Sequence, residues 1–148
     1  WFNYRAELAS GAYDWLIDWA DATNDIRLFI STTNDGGTEK LRFGKAYTAF
    51  NVGDAAFAFG TGAWHHVALT YDGTYVRGYA DGALVYTSPD WSGNGSTALT
   101  SKLLIGAEYG GGAYFPSVYM DDVGVWNRTL SAAETRRLNS DVGKVAGV

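Results

Sequence analysis

The stretch from Gly62 to Gly82, GAWHHVALTYDGTYVRGYADG, decides the fold. Its run over 64 to 71 alternates with period two, placing Val67, Leu69 and Tyr71 on one face and His66, Ala68 and Thr70 on the other. Asp72-Gly73 ends that run, a second covers 75 to 80, and Asp81-Gly82 leads into a third over 83 to 86. An Asp-Gly pair between strand-like runs predicts a tight hairpin, because the turn needs positive φ and glycine supplies it without steric cost. Three antiparallel strands joined by two short turns form a meander of the kind used in jelly rolls.

The same spacing extends in both directions. Further strands are predicted over 1 to 8, 13 to 19, 26 to 31, 40 to 44, 46 to 51, 101 to 106 and 118 to 126, separated by Gly, Asp and Asn clusters. One helix is signalled, where Ser131 and Glu134 form a capping box ahead of Arg136, Arg137 and Leu138. It is read as a turn or two laying Leu138 on the sandwich rim, with the arginine pair toward its C-terminal end. The pattern is that of an all-β, two-sheet antiparallel sandwich with a short C-terminal helix.

A chain of 148 residues, 47% hydrophobic and 16% aromatic, has the length of one domain and enough apolar content for a core without disulfides. A formal net charge of -5 argues against nucleic acid or an anionic membrane surface as partner, since both require a basic face. The absence of cysteine leaves the compartment open. The opening residues WFNYRA read as a strand in mid-course, so residues 1 to 148 are expected to be one domain taken from a longer polypeptide whose leading strand lies upstream.

The run from Gly62 to Gly82 resembles the laminin G-like jelly-roll family within the concanavalin A-like lectins and glucanases. A second block, LLIGAEYGGG followed by YFPSVYMDDVGVWNRTLSAAE, is similar to the family's closing strand, Asn-Arg turn and terminal helix. Two glycines depart from the pattern. Gly78 and Gly124 stand where larger side chains are expected, so a neighbouring ring should fill each gap, with Tyr79, Trp126 and Tyr119 as candidates. The resemblance implies a secreted or cell-surface module that binds polysaccharide or oligosaccharide. It also implies a structural calcium, with Asp121 and Asp122 as ligands beside backbone carbonyls from the start of the chain. The competing use of Asp121 is as an acceptor for backbone N–H groups at a strand end.

The residues give little support to catalysis. His65 and His66 are adjacent in a strand and point to opposite faces, which suits structural hydrogen bonding better than joint metal chelation. Glycoside hydrolysis needs two carboxylates facing one bond, but Asp121 and Asp122 point apart and Glu7, Glu39, Glu108 and Glu134 lie on different elements.

Sugar binding draws instead on aromatic rings that stack on a pyranose face, with polar groups for its hydroxyls. Trp15 and Trp19, four residues apart, are expected on one strand face, as core or as platform. Trp91 lies in the polar loop SPDWSGNGST, where it is a candidate for an exposed sugar-binding ring or for a loop anchor. Glu108, Tyr109 and Tyr114 sit in a glycine-rich loop, and Asn34 and Asp35 in another that borders the same site. Trp64 and Trp126 are assigned to packing. The expected function is a non-catalytic carbohydrate-binding module of a larger secreted enzyme or surface protein. A protein-binding adhesion domain or a structural spacer is the alternative.

Overall fold

The computed structural model describes residues 1–20, 27–47, 49–92, 102–108 and 117–141. Its elements in chain order are β1 (Phe2–Tyr4), β2 (Tyr13–Ala20), β3 (Arg27–Asp35), β4 (Thr38–Tyr47), β5 (Ala49–Ala56), β6 (Val67–Tyr71), β7 (Val76–Ala80), β8 (Ala83–Thr87), β9 (Leu103–Ile105), β10 (Val118–Met120) and α1 (Ala132–Asp141). A five-stranded antiparallel sheet of order β5-β4-β3-β2-β9 faces a three-stranded sheet β6-β7-β8, and β1 pairs with β10 in a two-stranded ribbon.

The meander forms as its turns require. Asp81 and Gly82 take left-handed φ values of 47° and 76°, joining β7 to β8 with Ala80 opposite Ala83. The turn at Asp72-Gly73 is looser. Asp72 Oδ1 accepts the N–H groups of Thr74 and Tyr75 at 2.9 and 2.7 Å, which with Arg77 holds its carboxyl down at about 2.

The layers interlock ring into glycine. Phe43 of β4 lies against Gly78 of β7, and Tyr86 of β8 lies against Gly53 of β5. The two rings stack with centroids 6.1 Å apart. The gap at Gly78 is therefore filled by Phe43 rather than by Tyr79 or Tyr119, while Trp126 does cover Gly124. Leu16, Ile30, Leu41 and Ala55 of the large sheet join Phe2, Tyr4, Phe59, Val76 and Ala80 in the core.

Several boundaries move. β3 and β4 run longer than expected and meet at a turn of Gly36-Gly37, with Asp35 opposite Thr38. The strand predicted over 118 to 126 ends at Met120, and β6 begins at Val67 after an isolated bridge from His65 to Phe2. The capping box forms, with Ser131 N and Glu134 Oε2 2.8 Å apart and Glu134 N donating to Ser131 Oγ at 3.3 Å. Because α1 continues to Asp141, Arg136 and Arg137 sit in mid-helix and not in its last turn. The two histidines serve structure. His65 bonds Asp81 and the Phe59 carbonyl at 2.9 and 3.1 Å, while burial lowers His66 to about 4.

Candidate functional site

The outward face of the large sheet carries the candidate site. Its rows follow from register, since residues directly opposite across antiparallel strands share a face. Trp15 stands opposite Ser31, Ser31 opposite Arg42, and Arg42 opposite Asp54. A parallel row places Tyr13, Thr33 and Lys40 alongside. The charged groups are paired: Arg42 Nε and Nη2 donate to Asp54 Oδ1 and Oδ2 at 2.7 and 2.9 Å. Lys40 Nζ donates to Asp35 Oδ2 at 2.8 Å. Hydrogen bonds to Asp54 raise the Arg42 guanidinium above its ordinary value. At one end the Phe29 ring covers Gly44, and Trp15 packs on Phe29 with centroids 4.8 Å apart. Ser31, Thr33, Trp15 and Asp18 are buried along this face, whereas Arg42, Asp54, Lys40 and Asp35 are among its accessible polar groups.

The residues singled out from sequence scatter, with one exception. Trp15 and Asp35 share the outward face. Trp19 does not, because a bulge between Trp15 and Ile17 shifts the register at Leu16 and turns Ile17 and Trp19 to the inner side. The expected shared face for Trp15 and Trp19 is thus overturned. Trp15 is only 4% exposed, and Trp91 only 5%, packed beside Tyr86 in the core, so of the two roles open to Trp91 the structure matches the loop anchor and not the exposed ring. The packing assigned to Trp64 and Trp126 is also overturned: they are 46% and 45% exposed.

Asn34 braces the hairpin, donating from Nδ2 to the Leu8 carbonyl at 2.7 Å and accepting from Gly37 N at 2.9 Å. Glu108 is half-buried just beyond β9, and Tyr109 and Tyr114 lie outside the described residues. Sequence reading missed Arg42, Asp54, Lys40, Ser31 and Thr33. Their signal was the period-two recurrence of polar residues in β3 and β4, which reads as an ordinary solvent face until the pairing register aligns it.

The acidic groups elsewhere are engaged in structure. Asp14, pushed up by burial, accepts from Tyr4 Oη at 3.1 Å. Glu39 Oε2 accepts the N–H groups of Phe59 and Gly60 at 2.8 and 2.9 Å. Asp121 Oδ1 accepts the Asp122 N–H at 2.9 Å, and its backbone exchanges hydrogen bonds with Trp1. Among the described residues no three His, Cys, Asp or Glu side chains gather in a way that could hold a metal.

A family model of the concanavalin A-like lectin/glucanases superfamily, Laminin_G_3, matches residues 1–136. The chain belongs to this family. The laminin G-like assignment made from two motif blocks thus holds across nearly the whole domain, including the first sixty residues, where strand count alone had supported it. Members of the superfamily include both sugar-binding and catalytic proteins. No curated protein matches the chain in sequence. Among solved structures, an S-layer domain-containing protein from Clostridium thermocellum ATCC 27405 (its residues 221-444) is similar. The two are 24% identical, with a TM-score of 0.44 over 92% of this chain and 67% of that one.

Proposed function

We propose that this laminin G-like domain is a non-catalytic carbohydrate-binding module of a secreted or surface protein, and that its sugar lies across the outward face of the large sheet. The observation that carries this reading is the pairing of Arg42 on β4 with Asp54 on the edge strand β5, beside Lys40 and Asp35. A sugar hydroxyl donates and accepts at once. A guanidinium and a carboxylate already locked in a two-point pair offer both partners at fixed positions, and neither must be reoriented on binding. Strands hold such groups more rigidly than loops do. Tyr13 supplies a ring at the same face. Each charge is already neutralised by its partner, which suits a neutral or weakly charged glycan.

The test is binding of the purified domain to insoluble polysaccharides and arrayed oligosaccharides, with and without calcium. Saturable binding competed by one soluble sugar is the expected result and names the ligand class. Absence of binding across the panel would overturn the reading in favour of protein adhesion or a spacer. The calcium arm examines Asp121 and Asp122, since a structural ion there raises the melting temperature at saturating calcium.

A further inference from the structure

The ribbon of β1 and β10 belongs to the smaller layer, because Phe2 exchanges both backbone hydrogen bonds with His65, at 2.9 Å each, just ahead of β6. Gly62 N then donates to the Tyr4 carbonyl at 3.0 Å, so residues 62 to 65 run along β1 and bring Trp64 level with Asn3. On the other edge Asn3 stands opposite Tyr119, and Arg5 N donates to the Ser117 carbonyl at 2.8 Å. Alternation settles the faces. Phe2 and Tyr4 lie in the core and Val118 and Met120 pack against it, so Asn3, Arg5 and Tyr119 project outward. An open apolar cleft of about 730 Å³ lies beside the ribbon, between β6 and residues 122 to 129, but none of Asn3, Arg5, Trp64 and Tyr119 lines it.

Rings, an amide and a cation thus meet on one outward face. Trp64 and Tyr119, on either side of Asn3, are 46% and 54% exposed, whereas Trp15 and Trp91 are buried. Asn3 itself is only 8% exposed, yet among the described residues no group hydrogen-bonds its side-chain amide. Leaving such an amide unpaired is costly, and a ligand with hydroxyls would satisfy its donor and its acceptor together. The Arg5 guanidinium lies 5.1 Å from the centre of the Tyr119 ring. Arg42, Arg77 and Arg128 each hold a carboxylate, but no described carboxylate pairs with Arg5. An accessible fork seated on a ring is pre-positioned for a planar anion.

We propose that Trp64, Asn3, Tyr119 and Arg5 form a second glycan site, one that takes a pyranose bearing a carboxylate, a uronic acid. The exposed rings meet the apolar C–H face of the sugar, the Asn3 amide meets adjacent hydroxyls, and Arg5 takes the carboxylate in a two-point pair. The site differs in charge from the face around Arg42, where the guanidinium is already paired and a neutral sugar fits. It lies on the other layer of the sandwich and does not depend on binding at that face.

The experiment titrates the 148-residue domain with oligomers of galacturonic, glucuronic and mannuronic acid, and with their neutral methyl esters, by calorimetry and NMR. At least one acid is expected to bind saturably, about tenfold or more tighter than its ester, and to shift the signals of the Asn3 side-chain amide and the Trp64 indole N–H. Arg5→Gln should bring the acid down to the level of the ester and leave the ester unchanged. Trp64→Ala should weaken acid and ester alike by about tenfold, with the circular dichroism spectrum unchanged because the ring is half-exposed. Tyr119→Ala gives the same reading should Trp64→Ala disturb folding. Binding of none of the acids, equal binding of acid and ester, an unaltered preference in Arg5→Gln, or signal shifts confined to Arg42, Asp54 and their neighbours would overturn the proposal, whatever the neutral glycans show.

Discussion

Replacing Gly78 by alanine tests the way the two layers lock together. From strand propensity alone the change should stabilise, because glycine in a strand costs about 0.5–1 kcal/mol relative to alanine. The packing says otherwise. A Cβ at this position would lie 2.4 Å from the Phe43 ring, and that ring is fully buried and stacked on Tyr86, so it has nowhere to move without disturbing Gly53 opposite. Overpacking of this kind costs about 1–3 kcal/mol. The net expectation is a loss of about 1–2 kcal/mol, or roughly 3–6 °C in melting temperature for a domain of this size. Urea unfolding of Gly78→Ala, Phe43→Leu and the double variant measures it. Leucine in place of the Phe43 ring makes room for the methyl group, so the double variant should be more stable than the sum of the single losses predicts. A neutral or stabilising Gly78→Ala, or strictly additive losses, would refute the interlock.

Further outcomes follow from the same structure. His66, 7% exposed, has its folded value lowered to about 4 by burial and the nearby Trp1 amino group, against 6.5 unfolded. Its contribution is complete above pH 6.5 and is lost as pH falls toward 4, because the unfolded chain takes up a proton that the folded one excludes. The loss reaches ~3 kcal/mol, so the melting temperature of His66→Asn should vary less over that window than that of the parent. Ser131→Ala removes the N-cap and should cost about 1 kcal/mol with no change in sugar binding, read by urea unfolding and the polysaccharide assay together. Arg42→Met, which keeps the stem and removes the fork, should weaken glycan binding about tenfold or more while leaving the circular dichroism spectrum unchanged.

The sequence made the local devices plain. Asp81-Gly82 and the Ser131–Glu134 box act within a few residues and appear in the structure as read. What escaped depended on partners distant in the chain. Period-two counting put Trp15 and Trp19 together because nothing in the run YDWLIDWA marks Leu16 as the residue where the ladder slips. Trp91 looked uncovered in its polar loop, yet its neighbours are Tyr86 and the carbonyl acceptor at Thr74, reached only after β8 has folded back. Motif blocks marked Trp64 and Trp126 for packing, but they lie beside the open cleft and the β1 ribbon rather than between the layers. The Arg42–Asp54 pair depends on the register of β4 against β5, which no single strand reveals.

The most direct test of the carbohydrate-binding account is a comparison of the parent domain with Arg42→Met and Asp54→Ala on the polysaccharide that the panel selects. The account predicts saturable binding by the parent, competed by one soluble sugar and lost in both variants at unchanged fold. Undiminished binding by both variants would contradict the placement of the sugar on the sheet face, and failure of the parent to bind any glycan would contradict the function itself.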